Sequence, residues 1–273
     1  MEHMPDLMDF ARRLAESARR ETLRERSGSQ GLQDKNPAGA FDPVTKADRA
    51  AERAMRELII EAFPDHGIVG EEFDNRSGSS PYQWSLDPID GTRSYVSGLP
   101  TWTTLIALLE DDRPIMGLID TPCLDELYLG SDRTSSKERA GERFPLRVSD
   151  VRDLASARLS TTDPFLFEGD AAGAFARLYG ATRITRFGHD AYAYACLASG
   201  TIDLVVECGL KRHDYDALIP VVRGAGGVFG DWAGGTEFIA GQVIAAATPE
   251  IYDVAVQIMR PAASSMPTSK DRD

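Results

Sequence analysis

Cysteine and histidine are scarce in this sequence of 273 residues, which contains three and four of them respectively. Cys123, Cys196 and Cys208 are odd in number, widely spaced and without a CxxC pair. This pattern argues against a disulfide framework and predicts buried free thiols in a reducing compartment. The histidines, at positions 3, 66, 189 and 213, show no HxH or HxxxH spacing. A zinc site is therefore not expected, even though His213 stands beside an aspartate.

Long apolar runs, a secretion signal and an excess of positive charge are also missing. No apolar run approaches the roughly 18 to 20 residues that cross a membrane, and residues 1–6 lack a basic segment followed by an apolar one. We therefore expect a cytoplasmic protein without a membrane partner. The formal net charge is −13, which argues against a nucleic-acid partner because binding to phosphates requires a basic face. The sequence contains no GxSxG motif, so a serine hydrolase is not expected.

The remaining composition is that of a globular protein, 42% hydrophobic and long enough for two closely packed halves. Apolar residues at helical spacing predict helices over residues 6–25 and 45–62, with a loop at 27–39. The period then becomes that of strands, predicted at 83–86, 103–110, 114–120 and 126–130. We expect the first half, residues 1–140, to be α+β, with two helices on one face of an antiparallel sheet.

The second half, residues 141–260, alternates strands and helices more regularly, which predicts an α/β layer. Pro220 lies inside the third predicted helix of this half, which is expected to start late or to kink. Residues 131–150 are polar and predicted to form a loop, and residues 261–273 a disordered tail. The predicted strands are 157–161, 182–187, 202–207 and 242–247, and the predicted helices are 168–179, 189–199, 216–224 and 250–259.

The most informative segment is Asp87-Pro88-Ile89-Asp90-Gly91-Thr92. Proline fixes one backbone angle and restricts the residue before it, so the two carboxylates are expected on a bent segment rather than a regular strand. Such a bend can aim both carboxylates and the Ile89 carbonyl at one point, as a hard cation such as Mg2+ requires. Gly91 permits a close approach of the backbone to a ligand, and Thr92 offers a hydroxyl and an N–H. An ordinary surface turn would have a similar composition.

Three other acidic segments change the interpretation of this motif. Gly70-Glu71-Glu72 lies upstream, Asp42-Pro43-Val44-Thr45-Lys46-Ala47-Asp48 precedes it, and His213-Asp214-Tyr215-Asp216 lies far downstream. With these motifs in this order, over about residues 5–258, the sequence resembles the inositol monophosphatase family of Mg2+-dependent, lithium-sensitive phosphomonoesterases. The resemblance implies a layered αβαβα sandwich, a homodimer and a small phosphorylated metabolite as substrate. It also implies two or three Mg2+ ions per site, which would let an acidic protein attract an anionic substrate.

The resemblance implies a set of metal ligands drawn from both halves of the chain. Asp214 is preferred to Asp216 as the downstream ligand, because the family's aspartate precedes its Ala-Gly-Gly by eleven residues and Asp216 precedes Ala225 by only nine. Glu72 is left as a surface residue or one that lies behind the ligands, since paired glutamates usually form a solvated turn. The implied ligands are Glu71, Asp87, the carbonyl of Ile89, Asp90 and Asp214.

The resemblance also implies how water and phosphate are held. Thr92, with Asp48 as its partner, is expected to orient the attacking water, and Glu71 is counted with them as catalytic. The N–H groups of Gly91 and Thr92 are expected to receive a phosphate oxygen. Asp48 has a second possible role, because Thr45 and Asp48 match a helix capping box in which Asp replaces Glu.

The second half is expected to decide the substrate. Gly188-His189-Asp190-Ala191-Tyr192-Ala193-Tyr194 resembles the histidinol-phosphate phosphatases of the same superfamily, as do residues 91–100 and 206–211. Asp190 and Glu207 could pair with the amine and imidazole of histidinol phosphate, whereas neutral inositol hydroxyls need no second carboxylate. The branch usually has Gly at position 189 and Pro-Tyr-Asp or similar at 212–214, so this sequence departs from it there. The implied substrate contacts are Arg93, Gly188, His189, Asp190 and Glu207.

Two of these substrate contacts have alternative interpretations. His189 is also explained as a solvated residue at a helix start, and Asp190 as a first-turn acid favoured by the helix dipole. The leading hypothesis is a Mg2+-dependent phosphomonoesterase acting on histidinol phosphate. The alternatives are an inositol monophosphatase, a broader sugar-phosphate phosphatase, and a catalytically silent binding or regulatory protein. The intact set of acids argues against the last of these.

Overall fold

A computed structural model of the chain describes residues 4–26, 33–34 and 43–264. The two predicted N-terminal helices are present as α1, Met4–Arg26, and α2, Lys46–Ala62, and they pack against each other. The first two strands, β1 at Gln33–Asp34 and β2 at Pro43–Val44, pair in antiparallel fashion. The predicted loop at 27–39 is therefore wrong at β1, and its other residues lie outside the described ranges.

Seven strands form the first sheet, in the order β3-β4-β5-β6-β7-β8-β9. β3 runs parallel to β4, and each later strand is antiparallel to its neighbour. The polar loop predicted at 131–150 is wrong for residues 135–139 and 142–145, where β8 and β9 form a hairpin. β9 is exposed throughout, so no burial pattern marks it. The strands are β3 Gly67–Gly70, β4 Tyr82–Asp90, β5 Thr103–Glu110, β6 Arg113–Thr121, β7 Glu126–Ser131, β8 Ser135–Arg139 and β9 Glu142–Pro145.

Five strands form a second, mixed sheet in the order β11-β10-β12-β14-β13. The predicted α/β alternation is present, with an additional strand, β13, and a four-residue helix, α6, that the sequence did not indicate. The strands are β10 Arg158–Thr161, β11 Ile184–Phe187, β12 Leu204–Glu207, β13 Val228–Gly230 and β14 Val243–Ala246. The helices are α3 Thr92–Val96, α4 Asp170–Ala181, α5 Tyr192–Ala198, α6 Arg212–Tyr215, α7 Leu218–Gly224 and α8 Pro249–Met259. As expected from Pro220, α7 starts late.

The two sheets are separated and covered by three layers of helices. Successive residues of a strand face opposite sides, and along β5 Ile106 packs with α1 and α2, whereas Leu105 packs with α5 and α7. In the second sheet Val205 joins the same central layer, and Leu204 packs with α4 and α8 on the outside. The predicted layered αβαβα sandwich is confirmed.

The C-terminal end is ordered further than predicted. Arg260–Ala262 forms a 3-10 helix, and the N–H of Ser264 donates to Oε1 of Gln242 at 2.8 Å. The tail prediction is thus wrong for residues 261–264, and residues 265–273 lie outside the described ranges. The division of the chain at residues 140 and 141 stays a prediction. None of the described helices is both long and apolar enough for a membrane crossing.

Candidate active site

The acidic motif lies where β4 ends and α3 begins. The irregularity expected from Pro88 is present, but within a strand: β4 continues through Asp87 and Asp90, and its register against β5 shifts between these two residues. Side chains three apart on a regular strand point to opposite faces, and such an irregularity can redirect one of them. The N–H of Ile89 donates to Oδ1 of Asp87 at 3.0 Å. Gly91 then adopts a left-handed backbone, φ +79°, which glycine tolerates, and ends the strand.

Three aspartates from the two halves of the chain meet at this point. Asp87, Asp90 and Asp214 each offer a carboxylate oxygen, and these oxygens lie within 4.8 Å of one another. Asp216, the rival of Asp214, is buried elsewhere, with Oδ2 at 3.4 Å from Nε of Arg212. The structure therefore brings Asp214, and not Asp216, to the motif on β4.

The cluster has more negative charge than its neighbours balance, although Nε2 of His213 lies 3.4 Å from Oδ1 of Asp214. Burial raises the pKa of Asp87 well above its usual value, and the charges of Glu71 and Asp90 raise it further. Burial likewise raises the pKa of Asp90, with additional repulsion from Asp190 and Asp214. Within the described part of the chain, no lysine or arginine forms an ion pair with any of the three clustered aspartates. A bound cation would relieve this repulsion.

Asp48 lies beside the cluster and performs the predicted capping role. Its Oδ2 accepts hydrogen bonds from the N–H and the hydroxyl of Thr45, at 2.8 and 2.5 Å, at the start of α2. Its Oδ1 is buried and has no hydrogen-bond partner among the described residues. Burial raises the pKa of Asp48 to about 7. Because an unpartnered buried oxygen is uncommon, capping leaves one oxygen for a further group such as water.

Thr92 begins α3, and its hydroxyl donates to the carbonyl of Ile89 at 3.1 Å. The expected pairing of Thr92 with Asp48 is therefore wrong as a direct hydrogen bond. The same contact brings the Ile89 carbonyl, an expected metal ligand, next to the Thr92 hydroxyl. Thr92 and Asp48 can cooperate only through a group held between them.

The glutamates after β3 are not a solvated turn. The side chain of Glu72 is only 2% exposed, and Oε2 lies 3.8 Å from Nε of Arg49. The backbone N–H of Glu72 donates to Oε2 of Glu52, a buried residue of α2. Oε1 of Glu52 also accepts a hydrogen bond from Nε of Arg56 at 2.7 Å. Glu71 is close enough to raise the pKa of Asp87. Glu52 is not among the site residues expected from the sequence, although its four-residue spacing from Arg56 signals a helix ion pair.

A cavity of about 190 Å3 adjoins the cluster on the side of the second sheet. Glu207, at the end of β12 as expected, forms part of its wall and is buried. Burial raises the pKa of Glu207 to about 7, against the effect of its hydrogen bonds to Thr162 and Tyr194. None of the described residues that line the cavity is lysine, arginine or histidine. The lining residues are Asp90, Thr161, Thr162, Asp163, Leu166, Phe167, Asp190, Ala191, Tyr194, Glu207, Cys208, Gly209, Leu210, Asp214 and Leu218.

Asp190 joins the two halves of the site. It precedes α5, which begins at Tyr192, so both its prediction as a first-turn acid and the predicted helix start at residue 189 are wrong. Its backbone is left-handed, φ +45°, and its Oδ2 accepts from the hydroxyl of Ser94 at 3.2 Å. Next to it, the N–H of Ala191 donates to Oδ2 of Asp90 at 2.7 Å.

The other expected substrate contacts lie at the edge of the cavity rather than in its wall. His189 is not a solvated helix-start residue, because its Nδ1 is buried without a hydrogen-bond partner in the described part of the chain. Burial, followed by the charge of Arg186, lowers the pKa of His189. Gly188 has a left-handed backbone. Arg93 is 56% exposed, and its Nη1 lies 3.6 Å from Oδ2 of Asp163.

The three cysteines, all within the described ranges, are free as predicted, but they are half-buried rather than buried.

Comparison with known proteins identifies the family. A model of the inositol monophosphatase family matches residues 4–263. The chain belongs to the inositol monophosphatase family. It is a phosphatase of that family.

Two curated relatives and one solved structure illustrate the proteins to which this chain is similar. It is 46% identical to the chloroplastic bifunctional phosphatase IMPL2 of Arabidopsis thaliana over 71% of the chain, a match that spans 56% of the plant protein's length. It is 34% identical to a histidinol-phosphatase of Chlorobaculum parvum, over 89% of this chain and 92% of that one. A solved inositol monophosphatase from Zymomonas mobilis has a TM-score of 0.81 and 37% identity, covering 95% of this chain and 100% of its own.

The donor set of this inositol monophosphatase family protein fits the divalent cation on which the family depends. Carboxylates and carbonyls are the ligands that Mg2+ prefers, and three carboxylate oxygens already lie together. Burial and mutual repulsion raise the pKa values of Asp87 and Asp90, and neither residue has a lysine or arginine ion-pair partner among the described residues. These features distinguish the site from a set of exposed acids on a surface.

Proposed function

We propose that this phosphatase is a Mg2+-dependent phosphomonoesterase that hydrolyses L-histidinol phosphate to L-histidinol and phosphate. The observation that supports this substrate best is the composition of the cavity wall. Three carboxylates besides those of the cluster, Asp163, Asp190 and Glu207, line the cavity, and no basic side chain is among its described lining residues. Of these three, Asp163 has a basic neighbour outside the cavity wall, since its Oδ2 lies 3.6 Å from Nη1 of Arg93. A leaving group that carries a positive charge suits this wall, because an anionic or purely neutral group would leave the buried carboxylates without a counter-charge.

In this proposal the acidic cluster holds the metal. The ligands would be Glu71, Asp87, the Ile89 carbonyl, Asp90 and Asp214. Mg2+ bound there would supply Lewis acidity and positive charge toward the phosphate monoester. The carboxylates themselves set where that charge lies, since the Asp87 carboxylate is fixed by the Ile89 N–H and that of Asp90 by the Ala191 N–H.

The remaining groups would position water, phosphate and leaving group. Asp48, through its unpartnered Oδ1, and the Thr92 hydroxyl would orient the attacking water, with Glu71 beside them. The N–H groups of Gly91 and Thr92, at the left-handed turn into α3, would receive a phosphate oxygen. The alcohol that leaves would occupy the cavity, where Asp190 and Glu207 accept its cationic groups.

Two alternatives remain as outcomes of experiment. An inositol monophosphatase or a broader sugar-phosphate phosphatase would share the acidic cluster and differ only in the cavity. A catalytically silent binding protein is disfavoured by the spatial arrangement, because the acids that the motif suggested converge rather than scatter. We further propose that the protein acts in the cytoplasm, consistent with its three free cysteines, and as a homodimer, as the family resemblance implies.

A substrate panel tests the proposal. The purified protein with Mg2+ should release phosphate from histidinol phosphate with a higher kcat/KM than from myo-inositol 1-phosphate, and EDTA should stop both reactions. If kcat/KM were higher for myo-inositol 1-phosphate, histidinol phosphate would be rejected as the substrate, and the inositol or sugar-phosphate alternative would be favoured. No turnover on a broad panel of small monoesters would favour the silent binding protein.

A further inference from the structure

Glu207 is held at both of its carboxylate oxygens. Its Oε1 accepts from the N–H and the hydroxyl of Thr162, at 3.0 and 2.5 Å. Its Oε2 accepts from the hydroxyl of Tyr194 at 3.1 Å. Thr162 follows β10 and Tyr194 lies on α5, so two elements that are distant in sequence fix one side chain. Tyr194 is fully buried, which leaves its hydroxyl little freedom to choose another partner.

The groups that hold Glu207 are all uncharged. Just before β12, the buried Asp203 is held by Arg158 of β10, whose Nε lies 2.7 Å from Oδ2 of Asp203, so the charge of Asp203 is neutralised within the protein. Hydroxyls and amides fix the direction of a carboxylate without cancelling its charge. A carboxylate offers about four acceptor positions, and three donors fill all but about one. Glu207 also lines the cavity, so the remaining position and the negative charge are both left for a ligand.

We propose that Thr162 and Tyr194 are positioning residues that determine specificity: they fix the orientation of the Glu207 carboxylate, which is ionised beside a bound cation and so selects a leaving group bearing an ammonium or imidazolium. This inference rests on the proposed function and extends it to residues that do not touch the reacting atoms. Because the carboxylate is oriented before the substrate arrives, it contributes more to binding than a mobile one would. A neutral polyol makes weaker hydrogen bonds to the same carboxylate than a cation does.

Isosteric substitutions separate positioning from packing. Tyr194→Phe removes the hydroxyl bound to Oε2 and keeps the buried ring, and Thr162→Val removes the hydroxyl bound to Oε1 while the backbone N–H remains. Tyr192→Phe is the matched control for the first variant, because Tyr192 lies on the same helix and its hydroxyl interacts with Tyr128 and Cys196 instead. Thr201→Val is the control for the second, since the Thr201 hydroxyl donates to the Cys196 carbonyl.

The readout is the ratio of kcat/KM for histidinol phosphate to kcat/KM for myo-inositol 1-phosphate. We expect this ratio to fall about tenfold in each test variant, through a higher KM for histidinol phosphate, because one hydrogen bond to a charged group is lost. The two controls should keep the wild-type ratio. A variant that only disturbs packing would lower both kcat/KM values together, so an unchanged ratio in both test variants would overturn the inference.

The same measurements keep the inference apart from the proposed function. A wild-type ratio below one would show that histidinol phosphate is the wrong substrate, whatever the variants do. A wild-type ratio above one that neither Tyr194→Phe nor Thr162→Val reduces would leave the substrate in place and reject the positioning role. Thermal unfolding of each variant identifies one that fails to fold, in which case the other variant decides.

Discussion

Two groups of acids in this molecule have opposite electrostatic surroundings. Away from the site, Asp203 is paired with Arg158, and Glu126 with Lys137 at 2.5 Å. Burial opposes ionisation of both acids, but the hydrogen bonds from these basic partners prevail and leave the pKa of each below its usual value. In the acidic cluster, Asp87 and Asp90 have no such partner within the described residues, and burial and mutual repulsion raise their pKa values.

The difference shows that the fold can neutralise buried acids with its own side chains and does not do so in the cluster. Buried carboxylates without a counter-charge destabilise the metal-free protein. They also form a site whose missing charge an external cation can supply. We therefore expect that removing one charge changes the free energy of unfolding of the metal-free protein in opposite directions in the two groups of acids.

The largest effect is expected at Asp87. Asp87→Asn should lower kcat with Mg2+ by about a thousandfold, because a carboxylate of the proposed metal site becomes a neutral amide. Its free energy of unfolding in EDTA should be equal to that of the wild type or higher, since repulsion within the cluster is relieved. Asp253→Asn, an exposed aspartate of α8, is the control and should change neither quantity. Wild-type activity in Asp87→Asn would remove the residue from the metal site.

The opposite response is expected at Asp203. Asp203→Asn should lower the free energy of unfolding by about 2 to 3 kcal/mol at pH 6, because Arg158 loses its buried partner. The pKa of Asp203 is lower in the folded protein than in the unfolded chain. Its contribution is therefore complete above the unfolded pKa, near 4, and is lost as the pH falls through the folded pKa.

Urea unfolding of wild type and Asp203→Asn at a series of pH values measures this dependence. The difference between the two proteins should be constant between pH 5 and 7 and should shrink as the pH falls below about 4. A difference that grows toward low pH would contradict the sign derived from the Arg158 contact. Phosphatase activity with Mg2+ at 25 °C should persist in this variant if it remains folded.

The smallest of the three effects is expected from the metal itself. Mg2+ at about ten times its dissociation constant should raise the free energy of unfolding of the wild type by about 1.4 kcal/mol. Asp87→Asn should lose most of this gain. Asp203→Asn should retain the gain, although its free energy of unfolding without Mg2+ is lower than that of the wild type. Thermal or urea unfolding with and without EDTA measures both. Equal stabilisation of the wild type and Asp87→Asn would place the bound Mg2+ elsewhere on the protein.

The sequence predicted the acidic cluster better than the surroundings of the cavity. Asp87 and Asp90 belong to one short segment, and the count of residues to Ala225 chose Asp214 over Asp216. The groups that hold Glu207 could not be found in this way, because the Thr162 contact joins β10 to β12 across 45 positions. Only the folded second sheet makes these residues neighbours.

The fold was predictable where burial leaves a regular pattern. α1, α2 and the strands β4 to β7 carry apolar periods that match their faces, whereas the exposed strand β9 carries none. The helix predicted from residue 189 starts three residues later because Asp190 takes a left-handed backbone that only tertiary contacts reveal. Local sequence cannot report such a conformation in a non-glycine residue.

The hydrogen bond from the Ala191 N–H to Asp90 has a consequence for how enzymes of this architecture can diversify. It joins the segment that carries Asp190 to the acidic cluster through a main-chain group. A substitution at position 191 other than proline keeps that donor, and so do substitutions at the neighbouring positions 188 to 190 when the backbone is preserved. Substitutions can therefore introduce new side chains around the leaving group while the main-chain hydrogen bond that orients Asp90 is retained.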